Sequence, residues 1–271
     1  MEIVIKPHNR KTISFKELWQ YRELFYFLAW RDIKVKYKQT IIGILWAVLQ
    51  PLLTMIIFTV VFNKVARVSL GSTPYALFTF SGLVFWNFFS NSLSSVSDSF
   101  ISNKAILTKV YFPRIIIPIA TVIVNLVDFI FSFLMLVALL LIFHFTLNPF
   151  TLLILIPLLI LFFLTVMGIG LLLATLNIKF RDVRYVLPFF IQLFLFLTPV
   201  IYPLSLVSNK FVWIFYINPL TGILDVFRLF LLNTGPVNLN YIYVSICSAI
   251  VIFIIGMTFF SSYEKEIADI I

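Results

Sequence analysis

Long stretches with almost no charged residues recur along the whole chain, and they limit the possible folds more than any other feature. A helix needs about 20 consecutive apolar residues to cross a bilayer, and a signal peptide or single anchor would supply only one such stretch. Hydrophobic residues fill 62% of the 271 positions and charged residues only 11%, which excludes a soluble globular domain. We therefore predict an all-α integral membrane protein with six transmembrane helices. The predicted spans are 41–62, 75–97, 115–143, 150–177, 185–202 and 241–260.

A basic segment stands directly before the first span. It carries Arg31, Lys34, Lys36 and Lys38 against a single acid, Asp32. Basic residues beside a first span are retained in the cytoplasm, so this junction sets the orientation of every later span. Of the 20 Lys and Arg residues, 16 then fall on cytoplasmic segments and four on outer segments. The charge distribution predicts six spans with both termini in the cytoplasm.

Residues 14–30 follow a short tail, 1–13, and have the pattern of an amphipathic helix. Ser14 and Glu17 match a capping box at the start of a helix, and apolar residues then recur at helical spacing. An apolar and aromatic face with a basic flank is typical of a helix that lies in the membrane interface. Packing of this face against the helix bundle is an equally good interpretation.

The segment 211–232 is apolar enough to cross the membrane but is interrupted by Asn218-Pro219, Gly222, Asp225 and Arg228. A charged residue at the centre of a bilayer costs about 2.5–3.5 kcal/mol. We predict two outer half-helices that enter the membrane and return between spans five and six, with a hinge at Asn218-Pro219. Because Asp225 and Arg228 are three residues apart on a helix, we expect them to pair.

Polar residues inside the predicted spans mark either helix contacts or functional sites. Asp128, with Asn125 one turn earlier on the same face, lies within the third span. It is either a structural carboxylate that ties two helices or subunits, or a group that handles protons or substrate. The serine-rich run 90–99 favours close helix packing over a polar path. Gly168 and Gly170 are likewise placed for close helix contact.

Aromatic residues are abundant, and most of them must face lipid or fill the core. Aromatic rings also pack well against sugar rings, so those near the outer side are candidates for an exit path. These candidates are Phe85, Trp86, Trp213, Phe215 and Tyr216.

The chain has few residues that suit catalysis or cofactor binding. His8 and His144 have no companion at metal-ligand spacing, and Cys247 is the single cysteine. None of the eight glycines precedes a lysine, so the chain has no phosphate-binding loop of the Walker type. We expect no catalytic, metal or cofactor site in this chain. The net charge of +9 is explained by spans flanked with basic residues, so nucleic acid is not an expected partner.

The chain resembles the membrane subunit of polysaccharide-exporting ABC transporters, a group that includes O-antigen, capsule and teichoic-acid exporters. Four segments carry this resemblance, in order, and together cover nearly the full chain. They are Trp30–Pro51 (WRDIKVKYKQTIIGILWAVLQP), Asn103–Pro118 (NKAILTKVYFPRIIIP), Leu176–Pro188 (LNIKFRDVRYVLP) and Thr198–Arg228, which contains TPVIYP and NPLTGILDVFR.

The resemblance implies a homodimer in a bacterial plasma membrane, joined to two copies of a separate ATPase subunit that binds ATP and Mg. It implies that the segment 99–110 meets the ATPase through Ser99, Asn103, Lys104, Leu107 and Lys109. It further implies that a glycan on an undecaprenyl diphosphate lipid enters at Trp30, Arg31, Lys34 and Lys38.

Other functions remain open at the level of sequence. An ABC exporter of a small hydrophobic drug or lipid would have the same architecture, although the basic entrance favours an anionic lipid-linked cargo. A membrane-embedded glycolipid enzyme lacks a visible reactive cluster and would be indicated by turnover without an ATPase. A structural scaffold would give no reason for the broken outer helices or for Asp128.

Overall fold

The computed structural model describes residues 15–38, 43–65, 70, 73–145, 148–180, 182–208, 210–234 and 239–264. These residues form helices and connecting turns, with no strand among them, as expected for an all-α membrane protein. The predicted tail 1–13, the capping residue Ser14 and His8 lie outside the described residues.

The helices of the first half are α1 (Phe15–Gln20), α2 (Arg22–Lys38), α3 (Ile44–Phe58), α4 (Tyr75–Ser102), α5 (Lys104–Leu107) and α6 (Ile116–Ile142). A π-helical segment, Thr59–Val65, continues α3. The second half contains α7 (Pro149–Lys179), α8 (Val183–Phe196), α9 (Val212–Ile217), α10 (Pro219–Leu232) and α11 (Leu239–Tyr263), with a 3₁₀ turn at Leu204–Leu206.

The long helix α4 is the centre of the bundle. It packs against α6 on one side and α7 on another, and its first half is almost fully buried. Phe85 illustrates this position, because its ring contacts the rings of Phe129, Phe162 and Phe227 from three other helices. Ser92, Ser97 and Ser99 are also buried on α4, which agrees with the interpretation that its serines allow close packing.

Within the described ranges, four helices are long and apolar enough to cross a membrane: α3 with its continuation (Leu45–Asn63), α6, α7 and α11. The other two predicted spans coincide with α4 and α8. The 28 residues of α4 extend about 42 Å, but its second half is rich in serine. The 14 residues of α8 extend only about 21 Å, less than the roughly 30 Å hydrocarbon core.

The segment that follows α8 is irregular and ends in a broken pair of helices. Asn218 separates α9 from α10, and its side-chain oxygen caps α10 by accepting a hydrogen bond from the Leu220 backbone N–H at 3.0 Å. Its side-chain amide donates to the Thr198 hydroxyl at 2.8 Å. Pro219 occupies the first turn of α10, where a missing N–H costs nothing.

Glycines allow α7 and α11 to approach each other at backbone distance. A Cβ atom at Gly256 would overlap the Gly168 carbonyl oxygen, and one at Gly168 would lie 2.6 Å from the Ile252 carbonyl oxygen. A Cβ at Gly170 would lie 2.5 Å from Val96 Cγ1 on α4. Gly168 and Gly170 therefore make the close helix contacts that their sequence predicted.

We expect Gly256→Val to destabilise the protein by at least about 1–3 kcal/mol, because the added methyl groups would force α11 away from α7. Thermal unfolding of the detergent-purified chain, followed by tryptophan fluorescence, measures this loss. Cys247→Val is the matched control, since Cys247 is exposed on the same helix. Equal melting temperatures for the two variants would contradict the close contact.

Candidate functional site

Helix α2 carries the basic segment and ends eight residues later than the sequence predicted. The predicted helix ended at residue 30, whereas α2 continues to Lys38 after a turn at Tyr21. Its 17 residues contain no glycine or proline, and Lys36 and Lys38 in its last turn suit the negative end of the helix dipole. Leu28 and Ala29 are buried in the bundle core. The helix therefore packs against the bundle, chiefly along α6.

The exposed side of α2 forms a pocket of about 310 Å³. Arg31, Lys34, Val35 and Lys38 line it. Three of the four residues predicted for the substrate entrance thus lie together, around a concave surface with three positive charges. Trp30, the fourth, is exposed beside them and stacks on Tyr26, with 6.4 Å between ring centroids.

Asp128 receives two groups from the end of α2. The Lys36 ammonium forms an ion pair with its carboxylate at 2.5 Å, and the Tyr37 hydroxyl donates a hydrogen bond to its other oxygen. Lys36 also donates to the Asn125 side-chain oxygen at 3.2 Å. The two polar residues predicted inside the third span therefore bind the segment that precedes the first span.

This cluster lies deep along α6. Asp128 is near the middle of that helix, about 18 Å along the axis from its start. Its side chain is only 14% exposed, and that of Lys36 is 37% exposed. Burial, followed by the contact with Asp128, raises the pKa of the Tyr37 phenol above its ordinary value, so Tyr37 remains a protonated donor. Of Asp128's two interpretations, the structure shows the contacts of a helix tie.

The other end of the basic segment contacts the predicted coupling segment. Arg31 donates a hydrogen bond to the Asn103 side-chain oxygen at 2.7 Å and pairs with Asp32. Asn103 is buried, and its amide in turn donates to the Ser99 carbonyl at 3.0 Å. One helix, α2, thus has polar contacts with both the end of α4 and the middle of α6.

The remaining coupling residues divide into a buried and an exposed set. Ser99 and Leu107 are buried within the chain, whereas Lys104 and Lys109 point to the surface. Lys104 is the first residue of the short helix α5, and Lys109 lies two residues after its end. The exposed part of this segment is basic, and its neighbours Val110 and Tyr111 are exposed apolar residues.

The five predicted exit aromatics do not form one group in the structure. Phe85 and Trp86 are buried on α4, inside the bundle. Trp213 is exposed on α9, Phe215 contacts Tyr202, and Tyr216 is buried against Tyr241. Among the described residues, no ring contact joins the α4 pair to the α9 group.

Arg228 is fully buried beside the first turn of α4, whereas Asn103 directly follows the last turn of that helix. Its guanidinium donates to the carbonyl oxygens of Phe78, Pro199 and Val200 at 3.0, 2.5 and 2.7 Å. It also lies over the Phe78 ring, 3.6 Å from the centroid. A Cβ at Gly82 would overlap this guanidinium, so the glycine makes room for it.

Asp225 has a different partner, because it accepts a hydrogen bond from the Tyr216 hydroxyl. Among the described residues, no hydrogen bond or salt bridge joins Asp225 to Arg228. The prediction that they satisfy each other is therefore wrong for their hydrogen bonds, although their charges still attract. The physical reason is that the irregular segment after α8 leaves carbonyl groups without helical donors, and these attract the arginine.

Sequence reasoning missed the partners of Asp128 and Arg228. The sequence identifies Lys36 only as one of four charges that orient the first span, and nothing in it singles out Tyr37. The sequence does contain a signal, since an acid inside an apolar span needs a counter-charge, and Lys36 belongs to a basic segment on the cytoplasmic side, where the third span is predicted to begin.

The sequence is similar to a transporter family and to proteins named for O-antigen export. The family described as ABC-2 type transporter matches residues 23–232, from α2 to the end of α10. Two proteins of Klebsiella pneumoniae, each named O-antigen export system permease protein RfbA, are 30% identical over 249 residues, covering 92% of this chain and 95% of each relative. A Myxococcus xanthus protein of the same name is 30% identical over 201 residues, covering 72% and 74%.

We expect Arg228→Met to destabilise the protein by about 3–5 kcal/mol, because three buried carbonyl oxygens lose their charged donor. Arg184→Met is the matched control. Arg184 pairs with Asp98 at 3.2 Å on the surface, and such pairs contribute about 1 kcal/mol or less. Chemical denaturation in detergent measures both free energies of unfolding. Losses of similar size would show that Arg228 does not hold this end of the bundle.

Proposed function

The chain belongs to the ABC-2 type transporter family as a membrane-spanning permease subunit, and on that premise we propose that it exports a lipid-linked polysaccharide. The cargo is a glycan of the O-antigen, capsule or teichoic-acid type on an undecaprenyl diphosphate lipid. It moves from the cytoplasmic to the outer side of a bacterial plasma membrane. The observation that carries the proposal is the cation-lined pocket on α2, in a chain whose relatives are named for O-antigen export.

The pocket suits a diphosphate headgroup better than a neutral hydrophobic cargo. Phosphate oxygens are strong acceptors for Lys and Arg, and each charge-assisted hydrogen bond contributes about 1.5–3 kcal/mol. Lys34 and Lys38 supply two such cations around one concavity, and Arg31, which is bound to Asn103 and Asp32, adds a third positive charge to the lining. A neutral drug would gain nothing from these charges. The polyprenyl tail would remain in the lipid beside exposed apolar side chains of α3 such as Leu45 and Leu53.

We propose six spans with both termini in the cytoplasm and α9–α10 as outer half-helices. In this topology α4 is the second span and α8 the fifth. A helix buried inside a bundle does not need a lipid-compatible surface, which explains why α4 tolerates its serines. The irregular residues after α8 complete the short fifth span, and Arg228 satisfies their carbonyl groups within the protein.

ATP hydrolysis takes place in a partner in this proposal. Two copies of the chain form the channel, and two copies of an ATPase subunit bind ATP and Mg. The partner meets the segment 99–110, whose exposed lysines Lys104 and Lys109 suit an acidic surface. Movement of this segment reaches α2 through the hydrogen bond from Arg31 to Asn103. Each ATP-driven closure would thus shift the rim of the entrance pocket.

Depletion of the protein in its native host tests the proposed function. Lipid-linked glycans are then extracted from the cytoplasmic and outer leaflets and quantified. The expected result is accumulation of polymer on its lipid carrier at the cytoplasmic face, with a loss of surface glycan. Normal surface glycan with none trapped inside would overturn this cargo and leave export of a drug or simple lipid.

We expect the double variant Lys34→Ala/Lys38→Ala to reduce export at least about tenfold, since even one charge-assisted contact is worth that factor. The measurement is surface glycan per cell, normalised to the amount of folded protein in the membrane. Lys210→Ala removes an exposed lysine outside the pocket and serves as the control. Wild-type export by the double variant would remove the pocket from the mechanism.

A further inference from the structure

The cations of α2 point in two directions and have different partners. Arg31 and Lys36 are engaged by Asn103 and Asp128. Lys34 and Lys38 make no hydrogen bond or ion pair within the part of the chain that the structure describes, and both line the pocket. The basic segment therefore contains two cations that are held by the protein and two that are available to a ligand.

We infer that Asp128 is a positioning residue that fixes the rotation of α2 so that Lys34 and Lys38 present their ammonium groups to a phosphate-bearing lipid headgroup. Lys36 is then the counter-ion of Asp128 and not a ligand of the headgroup. This inference rests on the proposed function, which it extends by separating the recognition residues from the residues that aim them.

Helix geometry explains how a carboxylate on α6 controls the pocket. Successive residues in an α-helix are about 100° apart, so Lys34 and Lys38 each lie about 200° around the axis from Lys36. They are therefore on the side of α2 opposite the one that faces Asp128. Anchoring Lys36 on α6 turns Lys34 and Lys38 away from α6 and into the pocket.

The double contact is what makes the anchor rotationally specific. A single hydrogen bond would allow α2 to turn about that bond, but Lys36 and Tyr37 are neighbours that leave the helix in different directions. Both bind the two oxygens of the same carboxylate. Asn125, one turn earlier on α6, adds a third contact through Lys36. Together these contacts restrict both the rotation and the height of α2 relative to α6.

The burial of Asp128 also requires that Lys36 and the two pocket lysines have different roles. Asp128 is largely buried in an apolar helix, where an uncompensated charge is costly. Lys36 neutralises it, so the cluster carries no net charge and does not attract the headgroup away from the pocket. Loss of the Asp128 charge would release Lys36 and weaken the restraint on rotation, and Lys34 and Lys38 would then meet a headgroup in a worse geometry.

The test uses the purified complex of this chain with its ATPase subunit in vesicles of phosphatidylethanolamine and phosphatidylglycerol. One arm titrates undecaprenyl diphosphate at a fixed phosphatidylglycerol content, and a second arm titrates phosphatidylglycerol alone. The readouts are the lipid concentration that gives half-maximal ATPase stimulation and the maximal rate. Asp128→Asn removes the charge at constant size. Tyr37→Phe removes one hydroxyl and provides a second test of the contact if Asp128→Asn does not fold.

Ser132→Ala is the matched control for a structural tie on the same helix. Ser132 lies one turn beyond Asp128 and is buried, and its hydroxyl donates to the Ala47 carbonyl on α3 at 2.9 Å. Its loss weakens a polar contact of α6 without touching α2. A purely structural role of Asp128 would therefore give the same pattern as Ser132→Ala.

We expect Asp128→Asn to raise the half-maximal undecaprenyl diphosphate concentration by at least about fivefold with an unchanged maximal rate, a factor typical of coupled sites. We expect Tyr37→Phe to raise the same concentration by a smaller factor. Asp128→Glu keeps the charge and should restore most of the affinity. Ser132→Ala should leave the half-maximal concentration at the wild-type value. Wild-type half-maximal concentrations in both Asp128→Asn and Tyr37→Phe would overturn the inference.

The two titrations separate this inference from the proposed function. One outcome is that phosphatidylglycerol stimulates the wild-type complex, undecaprenyl diphosphate does not, and Asp128→Asn shifts the response. Asp128 then positions a phospholipid site, and the proposal that the cargo is a glycan lipid is wrong. If the wild-type complex responds to undecaprenyl diphosphate and the variants do not differ from it, the cargo stands and the positioning role is wrong. A wild-type ATPase that is insensitive to both lipids overturns both.

Discussion

The pairing of two buried charges, Asp128 and Arg228, with groups from other helices is the constraint on which the rest of this structure depends. The apolar interior of a membrane helix bundle does not solvate charged groups. A buried charge is therefore costly unless it has a partner within the protein. Two such partnerships stand at different places along the bundle. Asp128 on α6 binds Lys36 and Tyr37 of α2, and Arg228 on α10 binds carbonyl groups at the end of the α8 segment. Each joins elements that are distant in the sequence, and each therefore helps to decide where one element lies relative to the bundle.

The contacts of α2 connect the pocket to two other helices of the bundle. Helix α2 is bound at Arg31 to the end of α4, next to the segment proposed to meet the ATPase, and at Lys36 to the middle of α6. The pocket lies between these two attachment points, on the face that remains free. A relative movement of the coupling segment and α6 must therefore change the pocket. By thermodynamic reciprocity, a ligand that prefers one shape of the pocket would favour the corresponding state of the ATPase.

Much of the fold follows from the sequence, because apolar length and glycine placement act locally. The all-helical membrane class and the close contacts of Gly168 and Gly170 were predicted correctly, and the ABC transporter family was identified from four segments. Arg31, Lys34 and Lys38 share one surface because α2 continues to Lys38, whereas the predicted helix ended at residue 30. The partners of Asp128 and Arg228 depend instead on how distant helices pack. Asp128 binds Lys36, which lies 92 positions earlier, and the carbonyl groups that bind Arg228 lie 28 to 150 positions before it. The burial of Phe85 and Trp86 has the same origin, because an apolar sequence does not distinguish a lipid-facing side chain from a core one.

Structure determination of the complex with its ATPase subunit and bound undecaprenyl diphosphate glycan would test this account most directly. The account predicts phosphate density within hydrogen-bonding distance of Lys34 and Lys38, with Lys36 and Tyr37 still bound to Asp128. Phosphate density coordinated by Lys36, with Asp128 released from α2, would contradict the separation between positioning and recognition. Headgroup density away from α2 would contradict the proposed entrance itself.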